Sequence, residues 1–406
     1  MEIKEGEKLI SVAGEFDVCV CGGGVAGVAA ALAAARSGAK TLLIEKSYML
    51  GGLATAGLVT IYLPLCDGKG RQVSFGIVEE LLRLSVKYGY EVSSGKRSYD
   101  GIGWLYNCTS AARKEYRFSV QFNAAVFSIL CEKILQEEGV EILFGTSVCA
   151  ADVQAEKIRA VITENKSGRQ AFCARSFVDA TGDADLCKLS GASTVEFQHG
   201  NVLAYWYYEH FDTEYRLQMK GFADHIDRDP TPEALNQKRY TGLSGKELSD
   251  MTQDAHRKIL DDFLERGNIS ASHALATIAT TPQIRMTRRL DGLSTLAKSQ
   301  SFTAFDDSIG MIGNWRERGP VYEIPMSSLC SKEIKNLSAC GRCFSVDEPM
   351  WDISRVIPSC AVTGQAAGTA AAMTDDLHAL NIRALQNKLV ADGVKLHIAD
   401  LPEVEE

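Results

Sequence analysis

The sequence predicts an α/β fold, a parallel sheet covered by helices and extended by a β-meander, interrupted by a second domain of α+β type. Three observations carry this. A glycine-rich turn joins a short apolar run to an Ala-rich helical run; a second short apolar run ends in an acid; and stretches of the same character return after residue 115 and after Pro325, around a segment of different composition.

Residues 16–21 (FDVCVC) read as a buried strand, 25–37 as an Ala-rich helix closed by Gly38, and 41–45 (TLLIE) as a second strand, which together make a βαβ unit. Residues 120–138 read as a helix and 140–144 as a strand. Residues 157–179 read as a meander that turns at NKSG (165–168) and ends in the buried strand SFVDA. Between residues 200 and 270 the chain changes character: clustered aromatics (AYWYYEHF), a charged stretch with Pro230 and Pro232, then a helix announced by the capping-box pattern Ser244-x-x-Glu247. After Pro325 a strand at 336–340 and an Ala/Gly-rich helix from about Pro358 to Met373 complete the pattern. The expected organisation is a cofactor domain from residues 1–65, 115–195 and 325–406, with 66–114 and 196–324 as a substrate or cap domain.

The chain has 406 residues, 46% of them hydrophobic, and Lys+Arg 43 against Asp+Glu 52 leaves a net charge of −9. That length excludes a small disulfide- or metal-stapled scaffold, and that charge is a poor fit to a polyanion binder. No zinc-finger, homeodomain or RNP-type pattern is present, so no nucleic-acid partner is expected. The start, MEIKEGEK, lacks the basic region and apolar core of a signal peptide, and the run at 25–35 is too short to span a bilayer, so a cytoplasmic protein without a membrane partner is expected. The 12 cysteines are scattered, several inside apolar runs (Cys19, Cys21, Cys131, Cys173), and read mostly as reduced core residues. Cys340 and Cys343 form a C-x-x-C, a redox pair or half a zinc site as the alternative to packing; no second ligand pair accompanies it, and no metal is expected.

The strongest motif is Gly22-Gly23-Gly24-Val25-Ala26-Gly27, a G-x-G-x-x-G between strand and helix. The first glycine permits the tight turn, Gly24 lets a pyrophosphate approach the backbone, and Gly27 lets the helix pack closely on the strand. The phosphates then face the helix N-terminus. Glu45, eighteen residues past Gly27, stands where an acid holds ribose hydroxyls. This is a Rossmann-like dinucleotide site.

The residues that follow, EKSYMLGGLATAGLV (45–59), resemble the FAD-dependent oxidoreductases of the glutathione-reductase-like and fumarate-reductase-like flavoprotein superfamily, in which a G-G-x-A-T stretch runs beside the flavin. ARSFVDATGDADL (174–186), NLSACGRCFS (336–345) and SRVIPSCAVTGQAAGTAAAM (354–373) extend the resemblance in order and spacing over about half the chain; in the middle domain it reaches only PQIRMTRR (282–289). It implies FAD as cofactor. Gly22, Gly24, Val25, Ala26 and Gly27 would hold the pyrophosphate, with Glu45 and Lys46 on the ribose side. Gly51, Gly52, Ala54 and Thr55 would run along the flavin. Val148, Ala180, Thr181, Gly182 and Asp183 would complete the nucleotide half, and Gly341, Arg342, Ile357 and Gln365 the flavin border. The residues themselves agree: Thr181 and Gly182 can turn the chain off a buried strand, Asp183 can bond a ribitol or pyrophosphate-linked group or cap the turn, and the helix after Pro358 starts with Ser359 in a first turn free of positive charge, suited to negative charge on a reduced flavin.

Absences narrow the chemistry. No cysteine pair follows Glu45 before Cys66, no second G-x-G-x-x-G occurs in the middle third, and the G-D-A-A-H ending of aromatic hydroxylases is replaced by GRCFS. Electrons then pass to or from a substrate or partner in the interposed domain, or an NAD(P)H that visits without its own fold. Arg285, Arg288 and Arg289 either face solvent, form internal ion pairs, or engage an anion through their planar forks. The resemblance places Arg285 and Arg288 near the flavin, with Arg355 at its border, as the catalytic set. His199, His210 and His273 are open to acid–base roles or structural ones, and Tyr205 to Tyr208 to a pocket wall or core packing. No histidine lies near GGLATAG, which disfavours a histidyl-flavin link. The expected function is hydride exchange between non-covalent FAD and a small anionic organic substrate, with an unnamed electron donor or acceptor and a homo-oligomer left open. The alternatives are an FAD-dependent tRNA- or cofactor-modifying enzyme, or a nicotinamide-binding or redox-sensing module built on Cys340 and Cys343.

Overall fold

The computed structural model describes residue 6 and residues 8–88, 120–221, 237–267 and 269–401. β1 (Val12–Cys21) begins exposed and ends fully buried, because from Val18 onward both faces of the strand carry small apolar side chains. α1 (Val25–Arg36) is almost entirely Ala and Val and is buried all round. β2 (Thr41–Ile44) runs parallel to β1, Val18 facing Thr41 and Cys21 facing Ile44. After a tight turn come β3 (Ile61–Tyr62) and α2 (Ile77–Val86), then β4 (Val120–Gln121), antiparallel to β3, α3 (Ala124–Glu137) and β5 (Glu141–Leu143). α3 starts four residues later than the apolar pattern predicts because Asn123 caps it, accepting from the Val126 N–H at 3.0 Å, while Val120 and Gln121 pair with β3.

The meander is β6 (Ser147–Gln154), β7 (Lys157–Asn165) and β8 (Gly168–Asp179), so it begins a strand earlier than the sequence reading has it. β8 is long enough to serve two pairings: its first half lies antiparallel to β7, its last three residues parallel to β16 (Leu337–Ala339), and β1 runs parallel along its other edge. The sheet order is β5-β2-β1-β8-β7-β6, with β16 added on β8. The α/β architecture with a mainly parallel sheet and a meander is therefore present as expected.

Beyond β8 come the short α4 (Asp185–Leu189) and β9 (Thr194–Glu196). The interposed unit is a three-stranded antiparallel sheet, β11-β10-β12, with β10 (Tyr207–Phe211) central between β11 (Glu214–Gln218) and β12 (His273–Ile278), and the helix α5 (Gly245–Glu265) between β11 and β12 in sequence. Ser244 caps α5 as expected, but the Glu247 carboxylate reaches past the cap to the N–H groups of Thr241 and Gly242, both at 2.8 Å. β13 (Arg288–Leu290) returns to pair with β9, β14 (Ser308–Gly313) and β15 (Val321–Pro325) form a ribbon, and α6 (Glu348–Ser354), α7 (Ile357–Met373) and α8 (Ile382–Ala391) follow β16.

Some of the segments expected in the second domain pack against the helices of the cofactor domain. Ile77, Val78, Leu81 and Leu82 of α2 lie in the same core as α1 and α7, and the Ile77 N–H donates to Gln365 at 2.8 Å. Leu296, Ile309, Ile312, Tyr322 and Ile324 lie there too. Apolar stripes in 66–88 and 290–324 thus complete the cofactor domain's core, while the stretch around β10–β12 and α5 has its own small cluster of Leu203, Tyr240, Met251 and Ile284. Pro230, Pro232 and the rest of the 66–114 segment lie outside the described residues.

Two helices meet unusually closely in the main core. A Cβ on Gly364 would stand 2.3 Å from the Ala26 carbonyl oxygen, and one on Gly368 2.0 Å from that of Ala30. Glycine on α7 against alanine on α1 lets the two backbones touch, and both helices begin at the same cavity.

Candidate functional site

At the start of α1, Gly22 holds a φ of +104°, and a Cβ there would meet the Ala180 carbonyl oxygen at 2.4 Å, so only glycine fits between the ends of β1 and β8. Gly27 is closed in the same way by the Gly22 carbonyl, at 1.8 Å from an added Cβ, whereas nothing lies within 4 Å of that position on Gly24. The helix has no side-chain cap. An open glycine in front of an uncapped N-terminus suits a phosphate. Glu45, buried at the end of β2, accepts from the Gly23 N–H at 2.6 Å and from the Ser47 N–H and hydroxyl at 2.7 and 2.8 Å. It thereby ties the glycine turn to the next strand and keeps lone pairs for hydroxyl donors. Glu45→Ala is expected to weaken FAD retention by about fivefold to a hundredfold, from about 1–3 kcal/mol of charged hydrogen bonding; flavin content after dialysis checks it, and full occupancy would remove Glu45 from the site.

The ATGD turn is built by Asp179, not Asp183. Asp179 accepts from the Thr181 N–H and hydroxyl at 3.0 and 2.7 Å and from the Cys187 N–H at 2.8 Å, which sets Gly182 at φ +82° and brings Asp183 to the rim. One Asp183 oxygen is taken by the Thr287 hydroxyl at 2.7 Å and by Arg342 at 3.2 Å.

These elements surround one cavity of roughly 840 Å³. Of the predicted residues it is lined by Gly22, Gly24, Val25, Ala26, Glu45, Lys46, Gly51, Gly52, Ala54 and Val148, by Ala180 to Asp183, and by Arg285, Gly341, Arg342, Arg355 and Ile357. Four predicted residues are not on its wall. Gly27 acts by close packing, and the Thr55 hydroxyl closes the turn onto the Leu50 carbonyl. Gln365 sits more than two turns into α7, holding the start of α2. Arg288 points away, its Nη2 on Asp185 at 2.7 Å and its Nε on the Asp183 carbonyl at 3.1 Å, so it is a structural ion pair and not half of a clamp. Arg289 is likewise buried away from the cavity, against the Trp351 ring.

Arg285 is brought to the wall by a chain of backbone contacts. Thr280 N–H donates to Ala56 at 2.8 Å, the Gln283 amide to the Gly57 carbonyl, and Arg342 to the carbonyls of Ile284 and Arg285 at 3.0 and 2.9 Å. Its guanidinium is buried, bonds the Gln283 carbonyl at 3.1 Å and lies 5.6 Å from the Trp206 ring, with no carboxylate in ion-pair range among the described residues. Burial, then the like charge of Arg355, pushes it down from its ordinary value to about 9. The other cavity arginines are partnered. Asp352 sits between Arg316 and Arg355, the latter at 2.5 Å; burial works to raise this carboxyl, and the two guanidinium groups outweigh it and hold it below the usual range. Arg355 stands two residues before α7, whose first turn is itself free of positive charge as expected, and the buried Ser359 hydroxyl has no hydrogen-bond partner among the described residues.

The sequence reading did not single out Trp315, Arg316, Val59, Ile61 or Leu63, which also line the cavity, and favoured Trp206 as core. The signal that could have found Arg316 was Asp352, an acid inside an apolar helix. Of the aromatic run, Trp206 forms wall while Tyr207 bonds Asp262 and Tyr208 bonds Thr60 at 2.6 Å. His199 faces Glu348, His210 rests on Tyr215, and His273 lies buried between Glu209 and the Gly267 carbonyl; none lines the cavity.

Cys340 and Cys343 are both buried, and burial, followed by the nearby Asp179 charge, pushes both thiols well above their ordinary value. A redox pair needs an accessible thiolate. Cys343→Ser is expected to keep substrate-dependent flavin reduction within a few fold; lost turnover with flavin still bound would restore the dithiol.

A family model described as FAD dependent oxidoreductase matches residues 17–204 and 200–389, nearly the whole chain. The chain belongs to this family. The cavity's residues fit the FAD that the family's description names, on the geometry above. A thioredoxin reductase of Ureaplasma parvum serovar 3 is 33% identical over 78 residues, 19% of this chain and 25% of the relative, so the chain spans about a quarter of the length of that curated protein. Among solved structures, a geranylgeranyl bacteriochlorophyll reductase-like protein of Thermoplasma acidophilum is similar at 14% identity with a TM-score of 0.48, covering 93% of this chain and 82% of the other. The 3-ketosteroid-delta4-(5alpha)-dehydrogenase of Rhodococcus jostii RHA1 is similar at 14% identity with a TM-score of 0.43, covering 89% and 98%. Among the described residues no helix is long and apolar enough to cross a membrane.

Proposed function

We propose that this oxidoreductase exchanges a hydride between FAD and a small organic anion whose charged group rests on Arg285. The observation that carries the reading is the Arg285 guanidinium itself, buried on the cavity wall without a carboxylate partner among the described residues. An unpaired buried charge is costly, and a ligand anion that bonds both prongs of the fork removes the cost. FAD, when bound, supplies the two-electron carrier. The chain's part is to bind and orient: Gly24 and the open end of α1 receive the pyrophosphate, Glu45 the ribose, and Gly341, Arg342, Arg355 and the start of α7 border the ring. The Arg316–Asp352–Arg355 group keeps the Arg355 fork fixed. The experiment is calorimetric titration of the purified holoenzyme with acetate and with sulfite. Arg285→Lys, which keeps charge and loses the fork, is expected to weaken both, while Arg288→Lys changes stability and leaves them alone. Identical titrations in all three proteins would sink the anion site.

A further inference from the structure

The wall beside Arg285 says more about the ligand than its charge. Along residues 59–63 the side chains alternate: Thr60 and Tyr62 are fully buried, bonded to the Tyr208 hydroxyl at 2.6 Å and the Val78 carbonyl at 2.7 Å, while Val59, Ile61 and Leu63 remain partly exposed and line the cavity. A strand that turns alternate apolar residues onto a cavity leaves apolar surface that only a ligand can cover. The same strand is tied to the arginine's neighbours, through Thr60 to Tyr208 and through Ala56 to Thr280. Trp206 and Ile284 continue the apolar surface up to the guanidinium, and the buried Trp206 indole N–H has no hydrogen-bond partner. The charge count is equally specific. Arg316 and Arg355 are turned onto Asp352, and Arg342 onto Asp183 and two carbonyls, which leaves one guanidinium, Arg285, for a ligand anion.

We infer that the substrate is a monocarboxylate with a contiguous apolar body, its carboxylate on Arg285 and its body along Val59, Ile61, Leu63 and Trp206. The inference rests on the anion reading above and narrows it: a second carboxylate lying along Val59, Ile61 and Leu63 would be placed against apolar side chains, at a desolvation cost. The test is calorimetry on the holoenzyme with acetate, butyrate, pentanoate, hexanoate and phenylacetate against glutarate. Affinity is expected to rise about fourfold per methylene from acetate to hexanoate, phenylacetate to bind more tightly than acetate, and glutarate to bind more weakly than pentanoate. Ile61→Ser is expected to flatten the rise with chain length, and Val59→Ser serves the same purpose where the first variant does not fold. Equal affinity for acetate and hexanoate, or glutarate binding more tightly than pentanoate, overturns the inference while leaving the anion site standing. Absence of binding by every carboxylate overturns both.

Discussion

Replacing Arg285 with Met is expected to raise the melting temperature of the protein while weakening carboxylate binding by about thirtyfold or more. The two effects have one cause. The guanidinium is stripped of water by burial and repelled by Arg355, Arg342 and Arg316, and the more distant attraction of Asp352, one carbonyl and the face of Trp206 do not make this up. Methionine fills similar space with no charge to desolvate, so the folded state gains. The ligand loses a charge-assisted contact in a water-poor site, worth about 2–5 kcal/mol. In the wild type the same charge sets a pH limit. The anion needs the protonated form, so affinity holds through the neutral range and falls as the pH rises through about 9, where the guanidinium proton is lost. Thermal melting and calorimetry measure both effects, and a lower melting temperature for Arg285→Met would show that the arginine supports the fold.

Gly368→Ala is expected to destabilise strongly although alanine is the better helix former by about 1 kcal/mol. The added carbon would stand 2.0 Å from the Ala30 carbonyl oxygen, backbone that cannot rotate away, so α1 and α7 must separate. Overpacking of this kind costs about 1–3 kcal/mol beyond the propensity gain. The shift also moves the first turns of two helices that both reach the cavity, so flavin retention should fall with stability. Gly245→Ala, at a helical position with nothing within 4 Å, is the control and should be neutral or mildly stabilising. Equal melting temperatures for the two variants would contradict the close contact.

What sequence reasoning could reach followed local physics. The turn at Gly22–Gly27, the strand ending in Glu45 and the DATGD turn each carry their geometry in consecutive residues, and all three reach the cavity. Gln365 and Arg288 fell out because their fate is decided by distant partners, Ile77 and Asp185, that no spacing rule predicts. The apolar wall at 59–63 was hidden because the polar members of the alternation, Thr60 and Tyr62, are the buried ones, held by the distant Tyr208 and Val78, while the apolar members face the cavity. The core that α2 joins was hidden for a similar reason: an amphipathic helix of this kind shows that it needs a core without showing which one.

The contact between α1 and α7 also imposes an order on assembly. α1 presents an Ala-rich surface, and the helix that covers it is made some three hundred residues later. Until then the sheet lacks β16, which adds to β8, and the cavity lacks the wall formed by Gly341, Arg342, Arg355 and Ile357. A nascent chain therefore carries the nucleotide-binding turn well before it can enclose a flavin. A chain cut before α7 is therefore expected to retain no flavin, which the absorbance of the purified fragment checks.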